Sequence, residues 1–223
     1  MKFNMKKLPV SFYQRKNVLQ IAKELLGKIL VTKYPPASPS LKLQRSKAGR
    51  AGNGVVTSGR IVEVEAYNGV IDKASHAFGG RRTARNEIMY ANGGVAYVYL
   101  CYGIHHLFNV VTNSSETPHA ILIRALEPVK GMDTMLQRVG KKKLDNTLTK
   151  GPGNLSKALG LCTKHSGFSL RSKELFIADD GLVYSKKEIA TSQRIGVDYA
   201  GNDALLLYRF YVKGNPYVSG KPK

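Results

Sequence analysis

The sequence predicts an α+β domain in which a largely antiparallel sheet carries flanking helices, and three observations predict it. Apolar residues alternate with a period of two in several short segments and take helical spacing in only a few. The strand-like segments follow one another at hairpin-like distances, without the regular βα alternation of a parallel sheet. The chain has 223 residues, 43% of them hydrophobic, with no internal repeat and no interdomain linker. That suits one domain over residues 1–223 with enough apolar material for a core.

Taken in order, Val18, Ile21, Ala22, Leu25 and Leu26 fall at i, i+3, i+4, i+7 and i+8, one face of a helix that Gly27 is placed to end. Lys28–Tyr34 reads as a strand. Residues 35–54 are rich in Pro, Ser, Gly, Lys and Arg and lack periodicity, so a flexible basic insertion is expected there. From Gly59 to Tyr67 the chain alternates: Val62, Val64 and Ala66 face one way, and Ile61, Glu63, Glu65 and Tyr67 the other. Asn68–Asn92 is polar and loop-like. Val95–Tyr102, Ile104–Val111 and Ala120–Leu126 read as strands. Pro128–Val139 reads as a helix opened by proline, and Leu155–Leu161 as another after a Gly-Pro-Gly turn. Glu174–Ala178, Arg194–Val197 and Tyr208–Lys213 complete the strands.

Thirty-five Lys and Arg against 15 Asp and Glu give a formal charge of +20. Such an excess points to a polyanionic partner, with nucleic acid the first candidate and an anionic membrane surface the second. No run of about 18 apolar residues could span a bilayer, and no apolar stretch of secretory type follows the basic start. Cys101 and Cys162 match neither a disulfide framework nor a zinc spacing and read as small buried hydrophobes in a reducing compartment. His76, His105, His106, His119 and His165 lack zinc-type spacing. No Walker loop, GxSxG elbow, zinc-deaminase signature or HExxH occurs.

Three groups of residues could carry chemistry. Glu63 and Glu65 share a strand face, and Arg124 interrupts the apolar run Ala120–Leu126, so an ion pair between strands is expected, either structural or catalytic. Tyr67, Tyr97, Tyr99 and Tyr102 either present ring faces to bases or fill a core. Arg81, Arg82, Arg85, Lys141–Lys143 and Lys213 are either phosphate contacts or a solvated charge face.

Several motifs in one order narrow these alternatives. Gly59-Arg-Ile-Val-Glu-Val-Glu-Ala-Tyr67 is followed by Ser75-His76, Gly79-Gly80-Arg81 and Thr83-x-Arg85-Asn86. Then come Tyr97-Val-Tyr99-x-x-Tyr102-Gly103, Asn109, Leu122-Ile-Arg124-Ala-Leu-Glu-Pro128, Gly151-Pro-Gly-x-Leu155 and the run from Arg209 to Ser219. In these the chain resembles the alkyladenine (3-methyladenine) DNA glycosylase family over nearly all its length after about Leu8. The resemblance implies a single domain around a curved antiparallel sheet, with no metal and no cofactor. It implies Glu65 as the general base and Arg124 as its partner in holding the attacking water. A backbone carbonyl at Val197, in the turn from Ile195, would be the water's third contact. Tyr67, His76 and Tyr99 would sandwich and orient the flipped base, Asn109 would reject guanine at the pocket wall, and Tyr102 would wedge into the gap in the duplex.

What the resemblance implies for function is base-excision repair. The partner would be double-stranded DNA containing damaged purines, met by a monomer in the cytoplasm (nucleoid) of a bacterium or the nucleus of a eukaryote. An alkylated or deaminated purine is extruded, because a stacked base cannot be reached. N-alkylation makes the purine cationic and a good leaving group, and each tyrosine face attracts that cation by roughly 0.5–2 kcal/mol. Glu65 stabilises charge growing on the sugar and takes the water's proton. No lysine is required, so an abasic site without strand cleavage is expected. Two other classes compete. One is a non-catalytic nucleic-acid-binding module like the carboxy-terminal domain of a tRNA-handling formyltransferase, for which a pocket carboxylate has no use. The other is a glycoside hydrolase using Glu63 and Glu65 as a pair, which leaves the charge unaccounted for.

Overall fold

The computed structural model describes residues 5–34 and 55–220; the expected insertion at 35–54 lies outside the described residues. The chain opens with a two-residue strand, β1 (Lys6–Lys7), and a single helical turn, α1 (Val10–Tyr13). Both are too short to leave a periodic signal. The helix α2 (Val18–Leu25) follows the predicted stripe, with Val18, Ile21, Ala22 and Leu25 buried. Asn17 starts it by accepting a hydrogen bond from the Gln20 N–H at 3.0 Å. Gly27, at φ +90°, turns the chain out of it.

The strands that follow are β2 (Ile29–Tyr34), β3 (Val55–Tyr67), β4 (Ala96–Cys101), β5 (His105–Thr112), β6 (His119–Lys130), β7 (Leu175–Asp179), β8 (Ile189–Ser192) and β9 (Arg209–Val212). They form an open, wholly antiparallel sheet in the order β1-β7-β2-β3-β6-β5-β4, with β9 also on β3 and β8 on β9. The α+β prediction therefore holds. The long strand β3 is the centre: β2 pairs with its first half, β9 with Glu63–Glu65, and β6 runs along its other side. Ile21 and Leu25 of α2 share one core with Val62 and Val64, with Ile123 of β6, and with Leu155 and Leu159 of the helix over Pro152–Leu159. Each such side chain contributes about 1.5–3 kcal/mol on burial.

Four boundaries differ from expectation. β6 runs on through Pro128, which sits opposite Gly59. A register shift there spares the sheet the missing N–H, and a Cβ on Gly59 would come within 2.8 Å of Leu126. The helix α3 (Met132–Val139) starts only after Gly131, at φ +81°, whose Cβ would lie 2.4 Å from the Val56 carbonyl oxygen. The helix α4 (Pro152–Leu159) starts at the proline, three residues before the predicted Leu155. Arg194–Val197 is not a strand. The strand is β8, and Gly196 at φ +75° takes 194–197 out of extended conformation into a 3-10 segment, Asp198–Leu205. Cys101 and Cys162 are half-buried free thiols rather than core residues. No helix among the described residues is long and apolar enough to cross a membrane.

Candidate active site

Two carboxylates on β3 meet an arginine on β6. The β3–β6 ladder shifts register on both sides of Glu63, and such irregularities bend a strand and re-aim its side chains. Arg124 reaches both carboxylates: its Nε donates to Glu63 Oε1 at 3.1 Å, and its Nη1 lies 3.2 Å from Glu65 Oε1. Both glutamate side chains are fully enclosed. Burial disfavours the arginine cation, but the charges of Glu65 and Glu63 outweigh it and hold the Arg124 pKa above its ordinary value.

The two carboxylates differ in what holds them. Glu63 accepts from Arg209 Nε at 2.7 Å, from Arg124, and from both the hydroxyl and the N–H of Ser219, at 3.0 and 2.6 Å. Three of these four donors fall on Oε1 and one, the Ser219 N–H, on Oε2. Glu65 takes the Ile195 N–H at 2.7 Å and Arg124 on one oxygen, and the Tyr67 hydroxyl at 2.9 Å on the other. One acceptor position on Oε2 remains. The pKa of Tyr67 is pushed well up, by burial first and then by the Glu65 charge, so its hydroxyl stays a donor.

Above Glu65 opens a cavity of about 740 Å³. Its walls include Tyr67, His76, Tyr97, Tyr99, Tyr102, Asn109 and Arg124, together with Ile195–Val197 and Tyr199. Glu65 lies one layer beneath the floor made by its partners Tyr67, Arg124 and Ile195. The His76 ring meets Tyr99 edge-on at 4.6 Å, and its Nδ1 is 2.7 Å from the Tyr97 hydroxyl. Burial, then Arg85 and Arg81, push the His76 pKa down to about 4, which leaves a neutral imidazole at physiological pH. Asn109 donates both amide hydrogens to backbone, to the carbonyls of Tyr97 and Leu107 at 3.1 and 3.3 Å. Tyr102 stands at the mouth on the turn between β4 and β5, 90% exposed. The Val197 carbonyl accepts from the Ala200 N–H at 2.9 Å and keeps one lone pair. In this turn it is the Ile195 amide, rather than a carbonyl, that touches Glu65.

With this geometry in place, comparison with known proteins is specific. The family model for methylpurine-DNA glycosylase matches residues 48–216. The chain belongs to the methylpurine-DNA glycosylase family. A relative from Bacillus cereus (strain G9842) is 43% identical over 96% of this chain and 98% of its own. One from Clostridium perfringens (strain 13) is 39% identical over 94% and 97%, and one from Chlamydia felis (strain Fe/C-56) is 44% identical over 91% and 94%. Each carries a provisional 3-methyladenine DNA glycosylase name.

Within this glycosylase family member the predicted phosphate contacts fall into different places. Arg81 is exposed and makes no ion pair among the described residues. Arg82 is bridged to Glu87 at 2.7 Å and Glu116 at 2.6 Å. Arg85 is built into the cavity wall, over the Tyr99 ring at 5.1 Å and on the Leu100 carbonyl at 3.1 Å. Lys213 is exposed beyond β9 and does not line the cavity.

Sequence reasoning missed the residues that hold this arrangement. Arg194 forms a fully buried two-pronged pair with Asp72, at 2.5 and 2.8 Å, and lies 4.9 Å from the centre of the Tyr67 ring. It thus backs one cavity wall and carries the Ile195 amide to Glu65. Tyr199, 70% exposed at the mouth, is pinned by its hydroxyl to the Ala74 carbonyl at 3.1 Å. Arg209 and Ser219 complete the Glu63 junction. The Arg209-to-Ser219 motif marked these residues without showing what they touch. Among the described residues no group of three His, Cys, Asp or Glu is arranged to hold a metal ion.

Proposed function

We propose that the chain is a monofunctional DNA glycosylase that extrudes an alkylated or deaminated purine and hydrolyses its N-glycosidic bond. The observation that carries this reading is the free acceptor position of Glu65 beside Arg124, directly under a tyrosine-lined cavity. At about 740 Å³ that cavity is within the ~300–1,000 Å³ of small-molecule sites. A cationic purine between Tyr67 and the His76–Tyr99 pair meets ring faces and a neutral imidazole. As the bond lengthens, positive charge on the sugar faces the carboxylate, and the incoming water gives Glu65 its proton. Tyr102 fills the gap left in the stack. No lysine is assigned to the sugar, so the product is an abasic site in an intact strand, released by a monomer that uses no metal or cofactor. The purely binding alternative gives no role to a carboxylate enclosed beneath the floor of the cavity.

The test is incubation with alkylated duplex DNA, chromatography of released bases, and electrophoresis of the strand before and after alkali. Wild type is expected to release alkylpurines and leave strands that break only in alkali. Glu65→Gln is expected to lose about 10²–10⁴-fold in rate, the scale of a general base, while still binding the duplex. Undiminished release by Glu65→Gln would remove Glu65 from the mechanism.

A further inference from the structure

Three sheet strands away from the cavity, cations collect around one aromatic ring. Phe176 on β7 is buried, and two ammonium groups cover it: Lys7 Nζ from β1 at 4.5 Å from its centre and Lys33 Nζ from β2 at 5.4 Å. Lys7 also donates to the carbonyl of Arg171 at 3.1 Å and to that of Ser172. Arg171, Lys173 and Lys33 are exposed, and none of these four cations is within ion-pair distance of a carboxylate among the described residues. Their crowding is felt: the Lys7 pKa is lowered by burial, then by Lys33, Arg171 and Lys173, with Glu174 opposing. None of the four lines the cavity.

Like charges gathered this way repel one another, and the face of one phenylalanine offsets only part of that. Phosphate oxygens would relieve it. Phe176 is buried beneath the two ammonium groups, so it is not free to enter a bilayer. The arrangement suits a regular, fully charged polyanion better than a lipid surface. DNA is already the partner of the cavity, and a contact to phosphates carries no sequence requirement.

We propose that the edge formed by Lys7, Lys33, Arg171 and Lys173 is a second DNA-binding surface, which holds the phosphate backbone of another duplex segment while the first is engaged at the cavity. The inference rests on the DNA substrate proposed above. Two sites on one molecule let the protein pass between segments without full release.

The experiment uses the full chain and two differently labelled duplexes, a short one carrying a stable abasic-site analogue and a longer undamaged one. Energy transfer between the labels reports simultaneous capture. Wild type is expected to hold both. Lys33→Glu with Arg171→Glu is expected to keep the short duplex and its rate of base release from a short lesion substrate, but to lose the second duplex. The milder pair Lys33→Gln with Arg171→Gln should keep the melting temperature and lower the salt slope of second-duplex capture by about 2, near 0.9 for each phosphate contact. Unchanged capture of the second duplex by both variants overturns the proposal. So does equal loss of both duplexes, which would make the edge part of the lesion track. Capture of phosphatidylserine vesicles in preference to the second duplex at the same salt overturns it in favour of a membrane. Failure of wild type to hold even the short duplex overturns the substrate reading as well.

Discussion

Glu63 and Glu65 stand two residues apart on one strand, share one arginine, and differ in what is left for them to do. Around Glu63, β9 brings Arg209 and the segment after it brings Ser219, and with Arg124 they tie the carboxylate down by four hydrogen bonds. Around Glu65 three donors hold the carboxylate, and beyond the residues that supply them lies a cavity. A buried charge is costly in both places. At Glu63 two arginines and Ser219 offset the cost. At Glu65 one arginine, a tyrosine hydroxyl and a backbone N–H do so, and the residues that supply them line the cavity. The comparison shows that burial and an ion pair do not by themselves separate the two residues; the cavity bordered by the partners of one of them does.

Four measurements break or sharpen that contrast. The largest effect is the loss of base release by Glu65→Gln given above. Its urea midpoint should move less than that of Glu63→Gln, because Arg124 retains Glu63. For Glu63→Gln the expected loss is about 3–5 kcal/mol of unfolding free energy, the scale for breaking a fully buried ion pair, followed by urea denaturation. A Glu63→Gln protein of normal stability that releases no base would erase the distinction between the two residues. Tyr102→Ser, at the open end of the cavity, should leave the urea curve in place. It should weaken lesion-duplex binding roughly ten-fold, within the ~1–3 kcal/mol of base–aromatic stacking, and undamaged-duplex binding less; equal losses would argue against a wedge. The fourth measurement concerns His76. Its pKa is about 4 in the fold against an ordinary 6.5, so the unfolded chain takes up the proton first as pH falls. Its contribution to stability is fully present above 6.5 and is lost progressively down to about 4. His76→Gln should flatten the melting temperature across that interval relative to wild type, and an unchanged profile would remove His76 as the titrating group.

Much of this was legible in the chain. The period of two along Gly59–Tyr67 placed both glutamates and Tyr67 on one face, and Arg124 stood out as a charge in an apolar strand. What stayed hidden was long-range and lacked a local pattern. Arg209 is 146 positions from Glu63, and Arg194 is 122 from Asp72; no periodicity links such pairs. Arg194–Val197 alternates like a strand, but a glycine at positive φ and the grip of Asp72 decide otherwise. Pro128 reads as a helix opener until its neighbour across the ladder is known. Nor does a run of arginines say which members are spent: Arg82 is taken by two carboxylates, Arg85 by a ring and a carbonyl, and Arg81 by no carboxylate among the described residues.

The turn between β4 and β5 carries one more consequence. Tyr102 sits there at φ +50°, a left-handed conformation that a side-chain-bearing residue holds at roughly 1–2 kcal/mol. Glycine would occupy the same backbone at ease, so Tyr102→Gly should give a hardier protein and a poorer repair enzyme. Selection for thermal robustness alone would erode this position first, and its persistence in a lineage would be a readable trace of selection for catching lesions.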